Sequence, residues 1–311
     1  MSKEIDFNKE PKILIGILTY CPDDAPKRFE IMKRALPTLS KLSGPNVFFS
    51  LWDNNSCDEV QNYLRSLDFI DFKYFSKKNL YDVAPIQFLS RAAAHVDAEF
   101  VCHMEDDLEV FDDNAAEKLS IVMKWLRGYA DIGGSRILRW EIDDIEKYNK
   151  HNPATHEIDR ANMQSMYNVI TGEKLKMAVI NLTDGDRNIC RAAITNWHWY
   201  NFPIVCKADL YPTIIPTEDI EPLQAQEGHM MKKYADTGLY LGAVDQGIVT
   251  HLAPPTPTSE TSVRHHMKNK WAEAEKKPEN MGKEMPIISM KEALEEVELA
   301  LQELKVYVEN T

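Results

Sequence analysis

The chain has 311 residues, 44% of them hydrophobic, enough for a sizeable core and too many for global disorder. Its formal charge of -13 at pH 7 disfavours unaided binding to a polyanion, although a local basic groove is compatible with it. No run approaches a membrane span, the charged start MSKEIDFNKEPK lacks a signal peptide's apolar stretch, and the cysteines (Cys21, Cys57, Cys102, Cys190, Cys206) show no CxxC spacing, so a reduced, cytoplasmic chain without a membrane partner is expected.

Lys12 to Tyr20, KILIGILTY, is a continuous apolar run of strand length that ends in a polar loop. Ala25 to Leu42 carries Phe29, Met32, Leu36 and Leu39 at helical spacing, with a kink predicted at Pro37. Val47 to Trp52 reads as a second strand, ending in Asp53-Asn54-Asn55-Ser56. A short helix follows over Asp58 to Leu67, then a strand over Phe69 to Phe75 and a helix over Val83 to Val96. The next strand, Phe100-Val101-Cys102-His103-Met104, stops in the carboxylates Glu105, Asp106 and Asp107. Strands alternating with helices predict a doubly wound parallel sheet.

Three adjacent carboxylates repel one another, and a divalent cation among their oxygens keeps them ionised most easily. The apolar strand before them places them at a carboxyl edge, where open α/β sheets bind ligands. A solvated acidic turn is the alternative, and Asp112 and Asp113 do read as helix caps.

The second half is less regular. Asn114 to Tyr129 reads as a helix and Asp131 to Trp140 as a strand. Tyr167 to Leu182 suggests a hairpin around Thr171-Gly172-Glu173. Trp197, His198, Trp199 and Tyr200 form an aromatic cluster suited to an acceptor platform or to a core. Thr217 to Tyr234 reads as a helix whose first turn holds Glu218 and Asp219. Short strands over Leu239 to Val244 and Ile248 to His251 precede the proline-rich run LAPPTPTSE. The basic run VRHHMKNKW, with Arg264 and Lys268, reads either as a mobile lid over a diphosphate or as a solvated face. An amphipathic helix with Met290, Ala293, Leu294, Val297, Leu301, Leu304 and Val308 on one side closes the chain and offers a surface for oligomerisation.

The Thr19-Tyr20 strand end, the Asp53-Asn54-Asn55-Ser56 strand end, the Asn79 loop with its Arg91 helix, and the DxD-type triplet, in that order, resemble a GT-A fold glycosyltransferase of the family 2 type. The similarity spans about 12–110 and, more loosely, 203–251. The triplet departs from the pattern by starting with Glu105, and the Asp53 loop is not the commonest version.

The resemblance implies an α/β, Rossmann-like GT-A fold: a mixed, mostly parallel sheet with helices on both faces and a C-terminal helix. It divides the chain into a tail (1–11), a nucleotide-sugar half (12–110), an acceptor and catalytic half (111–251), a basic lid (252–282) and a final helix (283–311). By the same resemblance Glu105, Asp107 and His251 would hold Mn2+ or Mg2+. Asp106 would face the donor ribose or sugar; Thr19, Tyr20, Asp53 and Asn55 would line the base of a UDP-sugar. Arg91 would lie near the diphosphate or else be a surface cation, and Arg264 and Lys268 would cover that diphosphate. Asp219, with Glu218 second, would be the base of an inverting transfer; Trp197, His198 and Trp199 would hold the acceptor, a glycan or a modified DNA base.

A nucleotidyltransferase needs a glycine-rich, basic loop after its first strand, and Thr19 to Ala25 is neither. A non-catalytic sugar-binding module has no use for both the triplet and the Glu218-Asp219 pair.

Overall fold

The computed structural model describes residues 9–23, 25–138, 176–196, 203–220, 224–252 and 288–311. The first half builds strands β1 (Ile13–Thr19), β2 (Val47–Asp53), β3 (Phe72–Phe75) and β4 (Phe100–Glu105). Between them lie helices α1 (Pro26–Ala35), α2 (Asp58–Arg65) and α3 (Val83–His95). β5 (Leu108–Val110), α4 (Ala115–Gly128) and β6 (Ile132–Arg136) follow. Then come β7 (Met177–Asp184), β8 (Arg187–Thr195), β9 (Ile204–Lys207), α5 (Tyr211–Ile214), α6 (Gln224–Asp236), β10 (Tyr240–Val244), β11 (Val249–His251) and α7 (Met290–Asn310).

The sheet is mixed and has nine strands in the order β3-β2-β1-β4-β9-β6-β10-β8-β7. β1 pairs in parallel with β2 and β4, as the strand–helix alternation predicts. Beyond β4 the sheet turns antiparallel, because β9 runs against both β4 and β6. Parallel pairing returns only between β6 and β10. Side chains of β1 alternate between two cores: Leu14 joins one, while Ile13, Ile15 and Ile17 join the other. The helices α3, α5, α6 and α7 contribute to the first core, and α1, α2 and α4 to the second. Helices therefore cover both faces.

Three expected elements differ. The helix after β1 does not run to Leu42 with a kink; it stops at Ala35, and Leu36–Leu42 continues as a 3-10 helix. Pro37 supplies no N–H and its ring clashes with the preceding turn, so the α-helical ladder ends there. The observed hairpin joins β7 to β8 around Gly185, at φ +58°, with Asp184 opposite Arg187. The turn expected at Thr171-Gly172-Glu173 lies outside the described residues. The helix expected from Thr217 instead occupies Gln224–Asp236. Ile220 is extended, bridging to Ile288.

Among the described residues no helix is long and apolar enough to cross a membrane. All five cysteines are free, and four are buried. The last helix lays Met290, Ala293, Val297, Ala300, Leu301 and Leu304 into the core. Leu294 is only partly buried and Val308 is exposed, so the apolar stripe is narrower than the sequence suggests.

Candidate active site

The site grows from the carboxyl ends of three neighbouring strands. Leu18 on β1 lies opposite Glu105 on β4, and Thr19 opposite Asp53 on β2. β4 is buried along its length, so its register fixes where the acids emerge. The small antiparallel ribbon of β5 and β11 then sets His251 opposite Leu108. Leu252 N–H donates to the Asp107 carbonyl at 2.9 Å, which locks this register.

The result is a cluster in which ligand atoms of Glu105, Asp107 and His251 lie within 4.8 Å of one another. Asp107 Oδ1 faces His251 Nε2 at 3.5 Å, is buried, and accepts no hydrogen bond. A buried carboxylate oxygen without a donor is costly unless a cation fills the place. Two carboxylates and an imidazole suit a divalent metal such as Mn2+. The residues fit the metal that the resemblance implies.

Asp106 faces inward. It is 0% exposed; its Oδ1 accepts from Arg28 Nη2 and its Oδ2 from Tyr20 N–H at 3.2 Å. Arg28 Nε donates to the Tyr20 carbonyl at 3.0 Å, and Nη1 lies 3.8 Å from Asp107 Oδ2. Burial and the neighbouring Asp107 push the Glu105 carboxyl up to about 8. Burial pushes Asp106 up to about 7, against the opposing pull of Arg28.

The second strand end is equally closed. Asp53 is 0% exposed and accepts hydrogen bonds from Thr19 Oγ1 (2.9 Å), Ser56 N–H (2.9 Å), Ser56 Oγ (2.5 Å) and Gln61 Nε2 (3.2 Å). Burial raises its pKa while these donors lower it. Asn54 fastens the next loop: its Oδ1 accepts from Trp52 Nε1 and Leu80 N–H, and its Nδ2 donates to the Tyr81 carbonyl. Asn55 is exposed at φ +63°, a left-handed conformation that asparagine tolerates. In this structure Asp53 and Thr19 hold the loop, while Asn55 is the side chain turned outward.

The remaining candidates are dispersed. Arg91 pairs with Glu298 of α7 at 2.6 Å, about 12 Å along α3 from its first residue, eight positions on. Glu218 and Asp219 are exposed on the segment before α6, and Asp219 Oδ1 accepts from Met290 N–H at 2.7 Å. They therefore stand at the start of α7 rather than in the first turn of a helix of their own. Trp197, His198, Trp199, Arg264 and Lys268 lie outside the described residues. Sequence reasoning missed Arg28 and Gln61, and quoted Asn54 and Ser56 as part of the Asp53 strand end without giving either a role. The signal for Arg28 was its place in the first turn after the Thr19-Tyr20 loop, beside the edge where the triplet emerges.

No protein-family model matches the chain, and no curated protein matches it in sequence. Solved structures do resemble it. The mannosyltransferase PcManGT from Pyrobaculum calidifontis, in complex with GDP-Man and Mn2+, matches at TM-score 0.50 and 14% identity, over 96% of this chain and 76% of that one. S. aureus TarS 1-349 matches at TM-score 0.46 and 13% identity, and the chain spans 60% of its length. TarS 1-349 in complex with UDP-GlcNAc matches at the same TM-score and identity, over 93% and 71% of the two chains. The chain has the GT-A fold.

Proposed function

We propose that this chain is a metal-dependent glycosyltransferase that moves a sugar from a nucleotide-sugar donor to an acceptor hydroxyl with inversion. The observation that carries the reading is the Glu105, Asp107 and His251 cluster at the carboxyl edge of a GT-A sheet, with a buried carboxylate oxygen left for a cation. That PcManGT was solved with GDP-Man and Mn2+ accords with such a use of the fold.

Glu105, Asp107 and His251 would hold the ion. When bound, such an ion would supply positive charge to offset the diphosphate leaving group. The loops around Tyr20 and Asn55 supply the donor nucleotide's surroundings. By the resemblance, Asp219 would take the proton of the acceptor hydroxyl, which attacks the face opposite the leaving group. Inversion follows from this single base. A glycan hydroxyl suits the strongly acidic chain better than a base of DNA, whose phosphates it would repel.

Thermal stabilisation by a panel of UDP- and GDP-sugars, with and without Mn2+, tests the reading. At least one nucleotide sugar should raise Tm in a Mn2+-dependent manner, and Asp107→Ala should abolish that rise and transfer while keeping the metal-free Tm within a few degrees. A panel that gives no metal-dependent shift, or an Asp107→Ala variant with ordinary turnover, sinks it.

A further inference from the structure

Arg28 pairs with both Asp106 and Asp107, and neither the nucleotide-sugar reading nor the metal set uses it. It is 8% exposed, on the first turn of α1. An arginine is seldom buried so far without a task, because its charge must be matched by fixed partners. Here the partners form a closed ring. Arg28 Nη2 holds Asp106 Oδ1, Tyr20 N–H holds Asp106 Oδ2, and Arg28 Nε donates back to the Tyr20 carbonyl. Both oxygens of Asp106 are thereby taken up inside the protein.

The consequence falls on the next residue. Asp107 presents Oδ2 to Arg28 at 3.8 Å and Oδ1 to His251 at 3.5 Å. One oxygen is thus drawn toward the guanidinium, and the buried Oδ1, which accepts no hydrogen bond, is left pointing into the Glu105–His251 cluster.

We propose that Arg28, with Asp106 as its counter-charge, is a positioning residue that sets the Asp107 carboxylate for the metal and ties the Thr19–Tyr20 loop to it. This rests on the metal site proposed above. It assigns Asp106 to holding Arg28 and the loop, leaving Asp107, Glu105 and His251 to meet the cation. Arginine suits this place because its planar fork bonds Asp106, the Tyr20 carbonyl and the neighbourhood of Asp107 at once, which an ammonium group cannot do.

The test is Mn2+ affinity, measured by calorimetry on the full chain without nucleotide, for wild type, Arg28→Lys and Arg28→Ala. Partners that orient metal ligands are worth about 10–100-fold in metal affinity, so Arg28→Ala should weaken Mn2+ by that factor. Arg28→Lys, which keeps the charge but loses the fork, should fall between, and added methylguanidinium should restore part of the loss in Arg28→Ala. A merely structural role lowers the metal-free Tm but predicts no such rescue. If Arg28→Ala does not fold, Arg28→Lys alone decides, and an unchanged dissociation constant overturns the role. Binding that tightens on losing Arg28 makes it a competitor of the metal and also overturns it. Wild type that binds no Mn2+ removes the metal site itself and this role with it. Wild-type binding that is equal in all variants removes this role alone.

Discussion

Glu105 carries a conflict between charge and burial that yields a pH dependence. Its carboxyl is pushed from 4.5 up to about 8, by burial first and by Asp107 second. A proton therefore binds more tightly in the folded chain than in the unfolded one. The stability this group contributes is complete below about 4.5 and is lost as pH rises through about 8. Without metal, Glu105→Gln removes the partly buried charge. Its Tm should exceed wild type by at least about 2 °C near pH 9 and match it near pH 4, by calorimetric scans. The same variant should lose its Mn2+-induced rise in Tm. A wild-type Tm that is flat from mildly acidic to alkaline pH, and equal to that of the variant, contradicts the assignment. His103, two residues earlier on β4, is pushed down to about 4 by burial and so titrates below the window in which Glu105 acts.

At the scale of elements, α7 is fastened where the proposed base sits. Ser289 caps it, its side chain accepting from Glu292 N–H at 3.4 Å, and Asp219 accepts from Met290 N–H one residue on. Further ties run to β3 and the connection after it: Glu296 accepts from Tyr74 and Ser76 hydroxyls, both at 2.9 Å, and Glu292 pairs with Lys78. Asp219 thus has a structural use that must be separated from its proposed chemistry. Asparagine keeps the accepting oxygen and removes the basicity; alanine removes both. Asp219→Asn should keep its urea midpoint close to wild type while turnover falls about 100-fold or more, the scale of a lost general base. Asp219→Ala should lose turnover as well and also about 0.5–2 kcal/mol of stability, the range for a lost helix cap. Full turnover in Asp219→Asn rules out the base and leaves Asp219 as a cap only.

Across the whole molecule, α7 is part of the core and not an appendage. Leu304 is fully buried in the same cluster as residues of α3, β3 and β10, and Tyr307 meets Phe48 and Phe72 edge-on or tilted. Leu304→Ala should cost about 2–5 kcal/mol, read from urea unfolding, as for other buried leucines. A cost under about 0.5 kcal/mol, the range of ordinary surface substitutions, would mean that the helix is dispensable to the fold. Exposed Leu299 and Val306 lie seven residues apart on its outer side. The core set of this helix is legible in the 3.6-residue period, because burying one face of an amphipathic helix is a local matter of spacing.

Local pattern determined a good deal of this protein. Apolar runs closed by polar ends marked β1, β2 and β4, and the abrupt stop of β4 placed Glu105, Asp106 and Asp107 together at the sheet's carboxyl edge, since the position of the acids follows from where the apolar strand ends. The hairpin was harder to see: alternation exists on both sides of Asp184-Gly185, but a competing turn signal at Thr171-Gly172-Glu173 drew the prediction away. Other features are pairings between residues far apart in the chain. Arg28 reaches Asp106 across 78 positions, His251 reaches Asp107 through the β5–β11 ribbon, and Asp219 meets Met290 across 71. No period in the chain encodes such contacts, because they depend on strand order and on which elements pack together. Which of the triplet's oxygens is engaged, and which is left without a hydrogen-bond donor, was decided only by the tertiary structure.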